Sequence, residues 1–188
     1  MRYCTPLLSI LTITILVFTS GCKKTNSSPP AFLQVGHQWV YLEQSYNGPT
    51  DTLTVLIAGT DPEKEFVVKF HNSIGDSSIQ YWYMDGDYVR EYTAGYPSQQ
   101  ATKFWNINAV AGQTWNSPVP DSIGGIQYDN VLGLNVADTT IAGVFNTTEV
   151  QFANSNVNGI EQSYISNSLG EVSRTGGAYH LNLVSKNF

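Results

Sequence analysis

The chain has little cysteine and little positive charge. Its 188 residues include two cysteines and nine lysines or arginines against fifteen aspartates or glutamates, which gives a formal net charge of −6. Both cysteines, Cys4 and Cys22, lie at the N terminus, so residues 23 to 188 can hold neither a disulfide nor a thiolate metal site. An acidic chain without a basic run also argues against binding to nucleic acid or to anionic lipid headgroups. We therefore expect no nucleic-acid partner.

The sequence also lacks the short motifs of common catalytic and cofactor sites. His37, His71 and His180 lie far apart, and none has a metal-ligand spacing such as H-E-x-x-H. There is no G-x-S-x-G elbow and no phosphate-binding loop. A Ser/His/Asp site assembled from distant residues is the open alternative, although a strand histidine such as His180 more often has a structural role.

One pair of acidic residues could serve a metal. The segment Asp85-Gly86-Asp87 offers two carboxylates to calcium, but it lacks the further oxygen ligands of a loop site. Asp-Gly between two aromatic runs is typical of a hairpin turn, which we favour. The sequence therefore predicts no catalytic residue, no metal and no cofactor, and we expect that the protein is not an enzyme.

The N terminus carries the one long apolar stretch. Arg2 provides a short positive region, residues 6 to 18 are mainly apolar, and Ser20 and Gly21 are the small residues that a signal peptidase needs next to the bond it cuts. The alternative is a transmembrane helix over residues 3 to 22. A spanning helix needs about 20 mainly apolar residues, whereas this stretch contains several Thr, Ser, Pro and Gly, so we favour a signal peptide.

The end of this stretch, Phe18-Thr19-Ser20-Gly21-Cys22, resembles the lipobox of bacterial lipoprotein precursors. In that family the cysteine thiol receives a diacylglycerol, the chain is cut before the cysteine, and the new amino group is often acylated as well. The resemblance implies a signal peptide over residues 1 to 21 and lipidation, for example with palmitate, at Cys22. Two or three acyl chains give stable membrane attachment.

Two expectations about location follow from that resemblance. The mature protein would lie in the cell envelope, on the periplasmic or surface-exposed face of a bacterial membrane, with a net charge of −7 once Arg2 is removed. Residues 22 to 31 form a polar segment that ends in two prolines and an alanine, so we predict a lipidated N terminus followed by a flexible tether.

From Phe32 onward, apolar residues alternate with polar ones at a period of two. This pattern predicts a single all-β domain over residues 32 to 188 with about ten to thirteen short strands. An antiparallel multi-stranded sandwich, a curved sheet and a partly open barrel all fit, with at most one short helix. Residues 102 to 111 are the candidate for that helix and fit a strand as well. We expect these apolar side chains to be buried: Trp39, Val55, Ile57, Val150, Phe152, Leu181 and Leu183.

Two segments of the domain are similar to each other. Val35-Gly36-His37-Gln38-Trp39 and Ala111-Gly112-Gln113-Thr114-Trp115 share a glycine followed three residues later by a tryptophan. A duplication explains the match, and so do chance or the repeated use of a strand start that buries a tryptophan.

The domain resembles a broad group of uncharacterised bacterial envelope proteins. FLQVGHQWVY at residues 32 to 41 is similar to their opening motif "plkvGntWvY". TIAGVF at residues 140 to 145 and SLGEV at residues 168 to 172 stand where the group has "vpaGtF" and "gvGlVk", with Glu171 at a position that is usually apolar. The resemblance implies an antiparallel β-fold outside the cytoplasm and brings no catalytic residues.

An aromatic hairpin is the feature with the most functional promise. Tyr81, Trp82, Tyr83 and Tyr88 flank the Asp85-Gly86 turn. Because side chains alternate between the two faces of a strand, either Tyr81 with Tyr83 or Trp82 with Met84 would be exposed. Exposed tyrosine and tryptophan rings suit a sugar or a protein partner, so these four are the possible ligand-binding residues. Cross-strand packing in a core is the simpler explanation, because aromatic residues are favoured in strands.

The sequence therefore predicts a lipid-anchored cell-envelope protein with a non-enzymatic accessory or binding role. Its expected partners are the membrane, through the anchor, and a glycan or an envelope protein. The alternatives are a glycan-binding module that uses the aromatic hairpin, and an enzyme of unrecognised type.

Overall fold

The computed structural model describes residues 27–45, 48–63, 65–119, 124–176 and 179–188. The predicted signal peptide, the lipidation site Cys22 and the start of the tether lie outside these residues. Within them, we find no helix with the length and apolar character needed to cross a bilayer.

The fold is all-β, as predicted from the alternating pattern. The described residues form twelve strands in one antiparallel sheet, in which the first strand pairs with the last and all other strands pair with their neighbours in the chain, except that the sixth and seventh strands do not pair with each other. One turn of 3₁₀ helix, Ser98–Gln100, precedes the sixth strand, and the segment that could have been a helix begins as that strand. The strands are β1 (Gln38–Ser45), β2 (Thr50–Thr60), β3 (Phe66–Asn72), β4 (Ser77–Asp85), β5 (Tyr88–Thr93), β6 (Thr102–Asn106), β7 (Thr114–Pro118), β8 (Ile126–Thr140), β9 (Gly143–Asn154), β10 (Val157–Ser166), β11 (Gly170–Gly176) and β12 (Tyr179–Lys186).

The sheet curls into a barrel that is nearly closed. Its two edge strands, β6 and β7, lie side by side, but the described residues form no backbone ladder between them. Side chains bridge this seam instead. Lys103 N donates a hydrogen bond to Ser117 Oγ at 3.1 Å, and Trp115 Nε1 donates to Lys103 O at 3.1 Å. The barrel is therefore closed by specific side chains at one seam and by backbone ladders around the rest.

The barrel interior forms the core. All seven side chains that the pattern predicts to be buried are buried, so this prediction is confirmed. They belong to one cluster with the aromatic residues Trp82, Phe104, Trp105 and Trp115. Inward-facing residues of a small barrel fill it from opposite walls, which explains why period-two alternation identifies them.

The N-terminal segment closes one end of the barrel, which we call the plugged end. Phe32 and Leu33 are almost completely buried there, and Trp39 Nε1 donates to Leu169 O at 2.5 Å. The C-terminal Phe188 joins them, with its ring 4.0 Å from the His37 ring in a stacked arrangement. The loops that join β1 to β2, β3 to β4 and β5 to β6 lie at the opposite end, which we call the far end.

The last residues of the predicted tether also lie on the barrel. Pro30 is buried, and the Ser27 hydroxyl donates a hydrogen bond to the carboxylate of Asp87, in the turn between β4 and β5. That turn belongs to the plugged end. The chain therefore enters the folded domain at this end.

The two similar segments form turns with matching glycine conformations and matching hydrogen bonds. Gly36 has a φ of +92° and Gly112 a φ of +77°, values that glycine adopts readily. Gly36 N donates to Ile57 O at 2.8 Å, and Gly112 N donates to Val131 O at 2.8 Å. Each turn leads into the first strand of a run of six, β1 to β6 and β7 to β12. Their similarity thus extends from the sequence to hydrogen bonding and topology, as a duplication would produce.

Candidate functional site: a cavity with a charged wall

A cavity of about 320 Å³ lies inside the barrel. It extends from Phe32 and Gly170 at the plugged end to Ser78 and Tyr179, near the starts of β4 and β12, at the far end. Phe32 and Gly170 are buried, whereas Ser78 is exposed. The cavity therefore opens at the far end and is closed at the plugged end.

One wall of the cavity is aromatic. The Trp82 and Phe104 rings stack with centroids 5.4 Å apart, and Phe70 meets Trp82 edge to face at 6.2 Å. Deeper in the barrel, Phe32 and Trp39 make an edge contact at 6.3 Å. Such pairs hold one another in place, so the wall is a rigid apolar surface.

The opposite wall carries a largely buried ion pair between Arg174 and Glu171, whose side chains are 20% and 12% exposed. Arg174 Nε donates to Glu171 Oε1 at 2.8 Å, and Nη2 donates to Oε2 at 3.1 Å, which makes the pair bidentate. Arg174 Nη1 donates to the Tyr179 hydroxyl oxygen at 3.2 Å and lies 3.8 Å from a Glu161 carboxylate oxygen. The guanidinium also lies over the Phe152 ring, 5.4 Å from its centroid. The cation is thus held on several sides.

A β-bulge places both partners on the same face of the sheet. Ser173 pairs with Tyr164 and Glu171 with Ile165, so Val172 is an extra residue in β11. Residues three apart in a regular strand face opposite sides of the sheet, but an inserted residue reverses the alternation. The bulge therefore turns both Glu171 and Arg174 towards the cavity.

The electrostatics of this wall favour the charged form of Arg174. Burial alone would lower the pKa of the guanidinium, but Glu171, Tyr179 and Glu161 outweigh burial and raise this pKa. Burial raises the pKa of Tyr41, and the Glu171 charge adds to that rise. The Tyr41 hydroxyl donates to the Glu171 main-chain oxygen at 2.7 Å. The cluster is therefore an ionised pair framed by neutral tyrosine hydroxyls.

Glu91 of β5 is a further ionisable side chain of the cavity lining. Burial raises its pKa from the ordinary value of 4.5 to about 7, Arg174 acts in the opposite direction, and Glu171 adds to the rise. Among the described residues, none makes a hydrogen bond to the Glu91 carboxyl group. Near neutral pH this group can therefore donate a hydrogen bond to a ligand in its neutral form and accept one in either form.

A second buried carboxyl group, Asp129, lies on β8 outside the cavity. Gln127 Nε2 donates to Asp129 Oδ1 at 2.8 Å, whereas Oδ2 has no hydrogen-bond partner in the described part of the chain. Burial raises the pKa of Asp129 to about 7. Asp129 pairs with Trp115 across the β7–β8 ladder, so it lies close to the seam of the barrel.

The aromatic hairpin that the sequence singles out does not form one surface. Trp82 is 7% exposed and lines the cavity, whereas Tyr81 and Tyr83 lie on the other face of β4. Both tyrosines are half-buried against Tyr92, with centroid distances of 5.1 and 6.3 Å. Tyr88 packs on Trp115 near the seam, 5.8 Å away. The four possible ligand-binding residues are thus divided among three environments.

A cleft on the outer wall brings Ser173, His180 and Asp138 together. Ser173 Oγ donates directly to Asp138 Oδ2 at 2.7 Å. In a catalytic triad the histidine stands between the serine and the acid, so this arrangement differs from a triad. Among the described residues, no three His, Cys, Asp or Glu side chains are grouped to hold a metal ion.

The sequence patterns did not predict that Glu91, Glu171 and Arg174 line an interior cavity. Glu91 could have been found, because it stands two residues after the buried Val89 and so at an inward position of β5. Glu171 carried a weak signal, since it replaces a usually apolar residue of the "gvGlVk" motif. Arg174 carried no signal, because only the bulge at Val172 turns it inward.

Comparisons of the chain with protein-family models, with curated proteins and with solved structures gave no match.

Proposed function

We propose that this protein is a lipid-anchored, extracytoplasmic binding protein of the bacterial cell envelope, and that its barrel holds a small organic ligand. The observation that supports this proposal is the interior cavity, which combines an aromatic wall with a charged wall. Ligand sites typically have a volume of about 300 to 1,000 Å³, apolar walls and a few well-placed polar groups. The cavity meets all three criteria.

In a barrel with only a structural role, we would expect side chains to fill the interior rather than leave such a cavity. Protein interiors pack about as densely as organic crystals, and voids larger than a water molecule are few. Burying Arg174 and Glu171 together also brings a desolvation penalty that apolar side chains of similar size would avoid. A ligand that contacts this wall gives the buried charges a role beyond stability.

The lining supports binding rather than catalysis. Its described residues include neither histidine nor cysteine, and its arginine is engaged by Glu171 and Tyr179. A nucleophile activated by an adjacent base is the usual basis of covalent catalysis. The lining residues offer no such pair.

The attachment to a membrane is proposed from the residues before the barrel. The lipobox-like sequence that ends in Cys22 supports lipidation at that residue, with removal of residues 1 to 21. A polar segment then joins Cys22 to the plugged end. A glycan-binding surface on the hairpin is less well supported, because Tyr81 and Tyr83 pack against Tyr92.

A ligand screen with a variant that fills the cavity mouth tests the proposal. The full chain is screened against glycan and metabolite libraries by thermal shift, and each compound that binds is measured again with Ser78→Trp. Ser78 lines the cavity at its mouth, so a large side chain there should weaken binding by more than about tenfold. Ser77→Trp is the matched control, because neighbouring strand residues face opposite sides of the sheet.

Two results would contradict a binding role for the cavity. The first is a screen in which no compound shifts the unfolding temperature of the wild-type chain. The second is a set of ligands whose affinity is the same for wild type, Ser78→Trp and Ser77→Trp, which would place their site elsewhere.

A further inference from the structure

The positive group of the charged wall, the Arg174 guanidinium, is already engaged by neighbouring side chains. Arg174 forms two hydrogen bonds with Glu171 and one with Tyr179, and Glu161 lies 3.8 Å away. An anionic ligand would have to break the bidentate pair to reach the guanidinium. It would then leave Glu171 as a buried charge without its partner, which is strongly unfavourable.

The carboxyl groups of the cavity lining outnumber its one cationic group. Three carboxyl groups line it, those of Glu43, Glu91 and Glu171, against the single guanidinium of Arg174. Glu171 is engaged by that guanidinium, whereas the described residues make no hydrogen bond to the Glu91 carboxyl. The cavity therefore has an excess of acceptors for a positive or hydrogen-bond-donating group.

Glu91 lies directly opposite an aromatic ring. It pairs with Trp82 across the β4–β5 ladder, and side chains at opposite positions of an antiparallel pair are close neighbours, with Cβ atoms about 5 Å apart. Trp82 in turn stacks on Phe104 and contacts Phe70. A carboxyl group and an indole ring on neighbouring side chains of a cavity wall can together attract an organic cation, through charge and through the ring quadrupole.

We propose that the cavity binds an organic cation, an amine or quaternary ammonium group carried on an apolar or aromatic body. The cationic group lies between Glu91 and Trp82, and the body lies against the rings of Phe70, Phe104 and Trp39. This inference rests on the proposed function of the barrel as a binding protein and names the class of its ligand.

The pKa of Glu91 supports this assignment. Burial holds it at about 7, so part of the population carries a neutral carboxyl group near neutral pH. A bound cation favours the ionised form, and by linkage its affinity increases as the pH rises through 7. The other charged groups that act on this site are Arg174 and Glu171 of β11, Glu43 of β1 and Asp129 of β8.

Three probes with the same phenethyl body and different charge test the ligand class. Phenethyltrimethylammonium, phenethyl alcohol and hydrocinnamate are titrated calorimetrically into the full chain in phosphatidylcholine nanodiscs, with empty nanodiscs as the blank. The ammonium probe should bind at least about tenfold more tightly than the other two. Its affinity should increase between pH 6 and pH 8, because a quaternary ammonium does not titrate and only the protein changes charge.

Glu91→Gln removes the charge and keeps the shape of the side chain. It should weaken binding of the ammonium probe by about tenfold or more, reduce the pH dependence of its affinity and leave binding of phenethyl alcohol unaffected. Glu63→Gln, an exposed carboxylate in the turn between β2 and β3, is the control and should change nothing. Unfolding curves of both variants confirm that they are folded.

The outcomes separate this inference from the function on which it rests. If phenethyl alcohol or hydrocinnamate binds as tightly as the ammonium probe and Ser78→Trp blocks it, the cation assignment is wrong while the binding cavity stands. The same holds if the library screen yields only neutral or anionic ligands that Ser78→Trp blocks. If neither the probes nor the library compounds bind, both proposals fail.

Discussion

Glu91 links the charge of the cavity to the stability of the barrel. Its pKa is raised from 4.5 to about 7, so between these values the folded protein keeps a proton that the unfolded chain has lost. The free energy of unfolding therefore decreases as the pH rises from about 4.5 to about 7 and then levels off. At 1.36 kcal/mol per pKa unit, the contribution of Glu91 is on the order of 3 kcal/mol.

We expect Glu91→Gln to be more stable than the wild-type chain at pH 8 and equally stable at pH 4. The amide has the shape of the neutral acid and never needs to bury a charge. Urea unfolding followed by circular dichroism at the two pH values measures the difference. A glutamine variant that is less stable than wild type at pH 8 would show that the ionised Glu91 is stabilised in the fold.

Arg174 compensates the buried charge of Glu171. We expect Arg174→Met to lower the free energy of unfolding by about 3 to 5 kcal/mol, because Glu171 loses its ionic partner in a largely buried site and keeps only the hydrogen bond from the Ser163 hydroxyl. The double variant Arg174→Met with Glu171→Leu should recover much of this loss, since it removes both charges. Urea unfolding of the two single variants and the double variant completes the cycle, and additive losses would rule out the coupling.

Among the strands, regular alternation made much of the core predictable. Val55 and Ile57 of β2, or Leu181 and Leu183 of β12, are buried at every second position, as the period-two pattern requires. Alternation fails at the bulge in β11, where Val172 is inserted and Glu171 and Arg174 come to share a face. The positions of Glu171 and Arg174 in the candidate site could therefore not be predicted from the sequence, because one inserted residue decides which face of the sheet they share.

The closure of the barrel could not be predicted from the sequence either, for a different reason. Twelve short antiparallel strands are compatible with a sandwich, an open sheet or a barrel, and the choice depends on whether the edges β6 and β7 meet. They meet through side chains of Thr102, Trp115 and Ser117 that have no distinguishing pattern in the sequence. Thr102 Oγ1, for example, donates to Pro118 O at 3.1 Å.

The seam between β6 and β7 should be sensitive to a single hydroxyl group. Ser117 is buried, and its Oγ accepts a hydrogen bond from Lys103 N. Ser117→Ala removes the hydrogen-bond acceptor of this part-buried amide, so we expect a loss of about 1 to 3 kcal/mol in the free energy of unfolding. Hydrogen exchange of the β6 amides should also become faster. Ser77→Ala, at an exposed position of β4, is the control, and equal effects of the two changes would contradict the role of the seam.

Substitution of each cysteine tests the proposed attachment of the protein to a membrane. We expect Cys22→Ala to abolish incorporation of labelled palmitate and to leave a precursor that retains residues 1 to 21, because the Cys22 thiol is the proposed acceptor of the lipid. Cys4→Ala, which removes the other thiol, should be labelled like the wild type. Equal labelling of Cys22→Ala and wild type would refute the proposed anchor.

The position of the N-terminal segment at the plugged end determines how the cavity faces its surroundings. Ser27 is hydrogen-bonded to the turn between β4 and β5, and it stands five positions after Cys22, a span of about 18 Å at full extension. The proposed anchor at Cys22 would therefore keep the plugged end next to the bilayer and point the mouth, at the far end, into the aqueous space. A ligand would enter from solution, and the bilayer would be shielded from the cavity by Phe32, Leu33 and Phe188.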